Sequence, residues 1–119
     1  MIDYDGRRFS PVTESSGPAP VAQYHQQQDL IWGEFSGGEV RRGSLAGTCD
    51  AEGVVQFAYC MVLTSGEAVT GLCRSIPQVL ADGRIRLTEY WERFGSGASN
   101  GVSTLEELPH SANAPLQHQ

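Results

Sequence analysis

The sequence predicts an all-β protein, an eight-stranded antiparallel up-and-down β-barrel. Short β-prone runs follow one another along the chain, and tight-turn signals such as Gly37-Gly38 and Asp82-Gly83 separate them. No window of about a dozen residues keeps a helical period of 3.6 without Gly or Pro. Closing such a meander into a barrel removes both exposed edges, which a sandwich of this size would leave open.

The elements follow from runs of β-prone residues between segments that break regular structure. Residues 13–20 (T-E-S-S-G-P-A-P) and 95–101 (G-S-G-A-S-N-G) are predicted loops, because Gly, Pro and Ser disfavour pairing. Pro77 is predicted to end regular pairing. The strands are predicted at residues 7–12, 21–26, 30–36, 40–49, 54–64, 68–76, 84–94 and 102–108, with a short extension at 78–80.

Length and composition predict one domain, residues 1–108, followed by a disordered tail, residues 109–119, which is polar and contains proline. No apolar run approaches the roughly 20 residues of a membrane span, and the N-terminus lacks a signal-peptide pattern. The expected location is therefore the cytoplasm, without a membrane partner.

Charge and residue usage exclude several functions. The net charge is −6 and the basic residues are scattered, so no nucleic-acid partner is expected. Every basic side chain is arginine, which excludes lysine-dependent Schiff-base chemistry. The three cysteines show no C-x-x-C spacing and His25 is the one histidine of the domain, so neither a metal site nor a cofactor is predicted.

The strand at residues 84–94 carries the sharpest functional signal. Its alternation places Glu89 on an apolar face, between Leu87 and Trp91. Burial of an unpaired carboxylate is costly, so Glu89 is expected to be paired, protonated or functional.

A second carboxylate is predicted beside it. If Trp32 points inward, Glu34 does as well, and the two glutamates then form a candidate acid–base pair in the barrel interior. Two alternatives stay open. Each carboxylate could pair with an arginine as a structural clamp, or Glu34 could face water.

Three further side chains complete the candidate ligand site. Tyr59 shares a face with Phe57, and Tyr24 is another polar-tipped aromatic residue on a strand. Arg74 lies on an apolar stripe of the neighbouring strand, where it would neutralise Glu89 or anchor an anionic ligand. Plain core packing is the alternative for each tyrosine.

Four runs of the sequence carry a resemblance: W-G-E-F-S-G-G-E-V-R-R-G-S-L-A-G, V-T-G-L-C-R-S-I-P-Q-V, D-G-R-I-R-L-T-E-Y-W-E and G-V-S-T-L-E-E. They resemble a family of small bacterial proteins, often labelled "N-acetylglutamate synthase", that look like avidin-like, calycin-type barrels of the avidin and lipocalin kind. The resemblance covers residues 2–108 and implies a barrel with a ligand pocket. The synthase label does not follow, because such an acetyltransferase needs a glycine-containing pyrophosphate loop that opens a helix, and the sequence predicts neither.

Three functional hypotheses remain. The first is binding of a small hydrophobic molecule inside the barrel, with Trp32, Tyr59, Arg74, Trp91 and Tyr24 as ligand-binding residues. The second is a cofactor-free biosynthetic enzyme, a cyclase or isomerase, in which Glu89 and Glu34 transfer protons. The third is a filled barrel that acts through its outer surface, for example as a homodimer.

Overall fold

The structure is a computed structural model that describes residues 2–13 and 17–109; most of the predicted tail lies outside these residues. Eight antiparallel strands form a closed barrel in chain order, and β1 pairs with β8 to complete it. The predicted fold class is confirmed. The strands are β1 (Arg8–Pro11), β2 (Val21–Gln27), β3 (Leu30–Gly37), β4 (Val40–Cys49), β5 (Val55–Leu63), β6 (Ala68–Val79), β7 (Ile85–Arg93) and β8 (Ser99–Glu107).

No helix is present in the described residues, so the pyrophosphate loop and helix of an acetyltransferase have no counterpart there. The same part of the chain therefore contains no helix able to cross a membrane.

The N-terminal segment before β1 plugs one end of the barrel, here called the closed end. Tyr4 is fully buried, and its hydroxyl donates a hydrogen bond of 2.6 Å to the carbonyl of Gly53 in the β4–β5 turn. Its backbone N–H donates to Oε1 of Gln26 at 2.8 Å. The Tyr4 ring also packs against Phe9 and Tyr24, with centroids 6.3 and 6.0 Å away. These contacts seal the end formed by the β2–β3, β4–β5 and β6–β7 turns.

A buried carboxylate fixes the ends of three segments near the same end. Glu107 is 1% exposed, and its Oε1 accepts hydrogen bonds from Nη1 of Arg7 at 2.7 Å and from the backbone N–H of Ile85 at 3.1 Å. Its backbone carbonyl accepts a further bond from Arg84. Glu107 therefore ties the segment before β1 and the start of β7 to the end of β8.

The inward face of β3 is the opposite of the predicted one. Ile31 is fully buried and Phe35 is half-buried, whereas Trp32 is 38% exposed on the outside and Glu34 is exposed beside it. Each face of this strand offers an aromatic and an aliphatic residue, so hydrophobicity alone does not choose between them. The outward placement of Glu34 avoids the free-energy cost of burying its carboxylate, and this cost determines which face of β3 points inward.

Arg74 was also assigned to the wrong face. Residues directly opposite each other in adjacent strands share a face, and Phe57 pairs with Cys73 while Arg74 pairs with Gln56. The inward Phe57 therefore turns Cys73 inward and Arg74 outward, where it is exposed. It does not neutralise Glu89.

Pro77 does not end β6, contrary to the prediction. Pairing with β7 continues through Pro77 to Val79, whereas pairing with β5 stops at Ser75. Beyond Ser75, β6 has one neighbour, and such an edge position tolerates a proline.

We predict that the two adjacent glutamates of β8 differ in their contribution to stability. Replacement Glu107→Ala leaves the Ile85 N–H and Arg7 without their buried acceptor, so the free energy of unfolding should fall by about 3 kcal/mol. Glu106→Ala removes only partly exposed pairs with Arg86 and Arg84 and should cost at most about 1 kcal/mol. Urea unfolding of both variants measures the difference, and equal losses would contradict the structural role of Glu107.

Candidate functional site

The half of the barrel opposite the N-terminal plug contains a cavity of about 280 Å³. Side chains next to the β1–β2, β3–β4 and β7–β8 loops line the mouth of the cavity. The end of the barrel formed by these loops is here called the open end. Most of the wall is apolar. Its lining comprises Phe9, Pro11, Pro20, Ala22, Tyr24, Phe35, Val40, Leu45, Phe57, Tyr59, Met61, Cys73, Glu89, Trp91, Arg93, Ser103 and Leu105.

Three cross-strand pairs of an aromatic residue with a glycine keep this cavity open. Each aromatic side chain points inward directly opposite a glycine of the next strand, and its ring lies over the space that a Cβ would fill. A Cβ at each glycine would come within 2.3, 2.6 and 2.5 Å, respectively, of the facing side chain. The rings therefore lie against the barrel wall and leave the centre free. The pairs are Phe35 with Gly43, Tyr59 with Gly71, and Trp91 with Gly101.

Glu89 presents the carboxylate of the cavity. Its Oε2 accepts a hydrogen bond of 3.2 Å from the hydroxyl of Ser75, the directly opposite residue of β6. The thiol of Cys73 lies 3.7 Å from that hydroxyl and also bonds to Glu89. Two neutral donors thus converge on one carboxylate.

Burial determines the ionisation of this group. Desolvation raises the pKa of Glu89 above the value of an exposed carboxyl, and the bonds from Ser75 and Cys73 partly oppose that rise. The Cys73 thiol is itself desolvated and lies beside the Glu89 charge, which raises its pKa to about 12. Burial and then the charge of Glu89 likewise raise the pKa of Tyr24. Cys73 and Tyr24 are therefore neutral donors at physiological pH.

The remaining polar contacts fix the aromatic side chains near the mouth. The indole N–H of Trp91 donates to the hydroxyl of Ser103 at 2.9 Å, and the Tyr59 hydroxyl donates to the carbonyl of Glu92 at 3.3 Å. The guanidinium carbon of Arg93 lies 5.5 Å from the centroid of the Trp91 ring. These contacts hold both rings in place.

The structure brings together four of the seven predicted site residues. Glu89, Trp91, Tyr59 and Tyr24 all line the cavity. Their functional roles remain predictions.

The other three lie on the outer surface: Trp32, Glu34 and Arg74. Glu34 binds His25 there, with Oε1 2.6 Å from Nε2, and the His25 ring stacks on Trp32 at a centroid distance of 5.4 Å. The predicted pair of carboxylates across the lumen is therefore wrong, because Glu34 points outward from β3 whereas Glu89 points into the barrel.

Several cavity residues were missed. Two of them could have been found from the sequence. Arg93 lies on the same period-two face of β7 as Glu89, and Ser103 lies directly opposite Glu89 once β7 and β8 form a hairpin. Ser75 and Cys73 required the pairing of β5 with β6. No three His, Cys, Asp or Glu side chains of the described residues lie close enough to hold a metal ion.

We predict a pH-dependent contribution of Glu89 to stability. Its folded-state pKa exceeds the unfolded value of about 4.3, so the folded state binds the proton more tightly. That contribution is fully present below about pH 4 and is lost as the pH rises through the folded-state pKa. The free energy of unfolding of the parent chain should therefore fall relative to Glu89→Gln between about pH 4 and 8.

Urea unfolding across this range provides the measurement, with Glu39→Gln as the exposed control. A constant difference between the parent and Glu89→Gln, or a change of opposite sign, would contradict burial as the dominant cause.

Comparison with known proteins assigns the family. A family model described as "Avidin-like protein" matches residues 2–108, which include all eight strands and every cavity residue. No curated protein and no solved structure gives a match. The family match agrees with the closed antiparallel barrel and with its open, apolar interior. The chain belongs to the avidin-like protein family.

Proposed function

We propose that the protein binds a small, largely apolar organic molecule in the open half of the barrel. The observation that carries this proposal is the cavity of about 280 Å³ inside an otherwise packed barrel. An eight-stranded barrel either fills its interior with side chains or holds one small ligand. Membership of the avidin-like family supports the second alternative.

The size of the cavity limits the ligand. An engineered apolar cavity of about 150 Å³ binds benzene, and common ligand pockets begin at about 300 Å³. The cavity of about 280 Å³ lies between these values. A molecule of one or two fused rings, or an aliphatic equivalent, fits this volume.

The distribution of polar groups supports a defined orientation of the ligand. Phe9, Phe35 and Leu45 form an apolar side from β1, β3 and β4. Glu89 and Ser103 belong to β7 and β8, so polar atoms concentrate on the other side. A few convergent polar groups in an apolar pocket fix a ligand's orientation, while the apolar area supplies most of the affinity.

Acid–base catalysis is a second candidate, and the raised pKa of Glu89 favours it. A carboxyl group in an enclosed apolar site can exchange a proton with a bound molecule near neutral pH. Such an enzyme would be a cofactor-free cyclase or isomerase that uses Glu89 alone, because Glu34 lies outside. For an enzyme, Glu89→Gln should lower turnover by about 100-fold while affinity holds. An unchanged rate would remove Glu89 from the chemistry.

We predict that Gly101→Ala weakens binding of small apolar molecules. The new Cβ would lie 2.5 Å from Cζ2 of Trp91, so the indole must move toward the lumen. The loss should be about tenfold or more, measured with probes graded from benzene to naphthalene by calorimetry. Gly97→Ala is the matched control, because a Cβ there meets nothing closer than 3.8 Å.

Trp91 reports directly on occupancy. The chain contains two tryptophans, and Trp32 lies outside the barrel, so Trp32→Phe leaves Trp91 as the one indole fluorophore. Probe-dependent change of its emission should parallel the calorimetric binding curve. Equal affinity of the Gly101→Ala and Gly97→Ala variants would count against the lumen as the binding site.

A further inference from the structure

The hydrogen bonds at Glu89 are those of a carboxylate prepared to be an anion. Burial raises the pKa of the Glu89 carboxyl, and the bonds from Ser75, which donates to Oε2, and from Cys73 act against that rise, so both bonds favour the ionised form. A carboxylate offers about four lone-pair positions, so these two donors leave acceptor capacity free. Because Glu89 lines the cavity, that acceptor capacity is available to a molecule inside it.

Within the described part of the chain, no ion pair balances this charge. The ion pairs among residues 2–13 and 17–109 join Arg7 to Glu107, Arg84 to Asp82 and Glu106, Arg86 to Glu106, and His25 to Glu34. None of them includes Glu89. Arg93, the arginine of the cavity lining, forms none of these ion pairs, and its guanidinium carbon lies 5.5 Å from the centroid of the Trp91 ring. When ionised, Glu89 is an anion without a counter-charge in the described residues.

The surrounding walls are suited to a positive charge. Tyr24, Phe57, Tyr59 and Trp91 line the same cavity as Glu89. The faces of aromatic rings carry partial negative charge and attract cations, most strongly where water is excluded. A desolvated carboxylate beside several rings is therefore a complete set of groups for an ammonium ion.

We infer that the ligand is an organic cation: an apolar body of one or two rings, or an aliphatic equivalent, carrying a primary or secondary ammonium group that Glu89 binds. This inference rests on the proposed binding function and adds the chemical class of the ligand. The ammonium N–H groups donate to the free acceptor positions of Glu89, and the apolar body fills the volume between Phe35, Leu45 and Met61.

Two other ligand classes make opposite use of the charged groups. A neutral carbonyl compound would need Glu89 protonated as a donor, a form that burial favours and that the bonds from Ser75 and Cys73 oppose. An anionic compound would use Arg93, but this side chain lies at the mouth against Trp91 and leaves Glu89 uncompensated below it. The experiment separates all three.

The test uses matched probes that share a hydrocarbon body and differ in one end group. The first set is 2-phenylethylamine, 2-phenylethanol and phenylacetate, and the second has naphthyl in place of phenyl. Calorimetry near pH 7, where the amines are protonated, gives the affinities of all six. For the body that fits, we expect the ammonium compound to bind about 10- to 100-fold more tightly than the alcohol, because charge-assisted hydrogen bonds are stronger than neutral ones.

In the Glu89→Gln variant, the ratio of ammonium to alcohol affinity should fall to about one, because glutamine preserves the shape of the side chain and removes its charge. The affinity for the alcohol should stay within about threefold of that of the parent chain. Glu34→Gln, on the outer surface, should leave the ratio unchanged. The ratio in the parent chain tests the inference even if Glu89→Gln fails to fold. An alcohol bound as tightly as the amine, or a carboxylate bound most tightly, overturns the inference and leaves the binding function intact. Absence of binding by all six probes counts against both.

Discussion

The structure depends on the pairing of inward-facing aromatic residues with glycines on the adjacent strand. At Tyr59 and Gly71, the ring occupies the space of the missing side chain, and a Cβ would come within 2.0 Å of the Glu92 carbonyl oxygen. The barrel thereby accommodates large side chains without filling its centre. Glycine in a strand is otherwise unfavourable, because it lacks a side chain to pack and loses more entropy on folding. At these three positions the glycines leave room for the aromatic rings beside the cavity.

The two halves of the barrel differ in how tightly their interior is packed. At the closed end, Tyr4, Phe9 and Tyr24 form a tight aromatic cluster, and Glu107 joins the chain ends through buried hydrogen bonds. At the open end, the interior is left partly empty and Glu89 is enclosed without an ion pair, an arrangement that reduces stability and suits binding.

The sequence predicts the fold well because turn signals and period-two alternation depend on local chemistry. It also identifies Glu89 and Trp91 correctly as cavity residues, since the apolar neighbours of β7 admit one inward face. The prediction fails for Trp32 and Glu34, because both faces of β3 are similarly apolar and the cost of an enclosed carboxylate decides between them. The prediction for Arg74 fails for a different reason. Its orientation is set by the pairing of Phe57 with Cys73, a contact between strands that alternation within β6 does not reveal.

We propose that small molecules bind inside the barrel and not on the apolar outer surface of β6 to β8. Isotope-filtered NMR with methyl-labelled protein and saturating 2-phenylethylamine measures this directly, because nuclear Overhauser contacts report the methyl groups nearest the ligand. We expect contacts to the inward methyl groups of Leu45 and Met61 and none to those of Leu72 and Val102, which point outward. Contacts to Leu72 and Val102 alone would contradict the account.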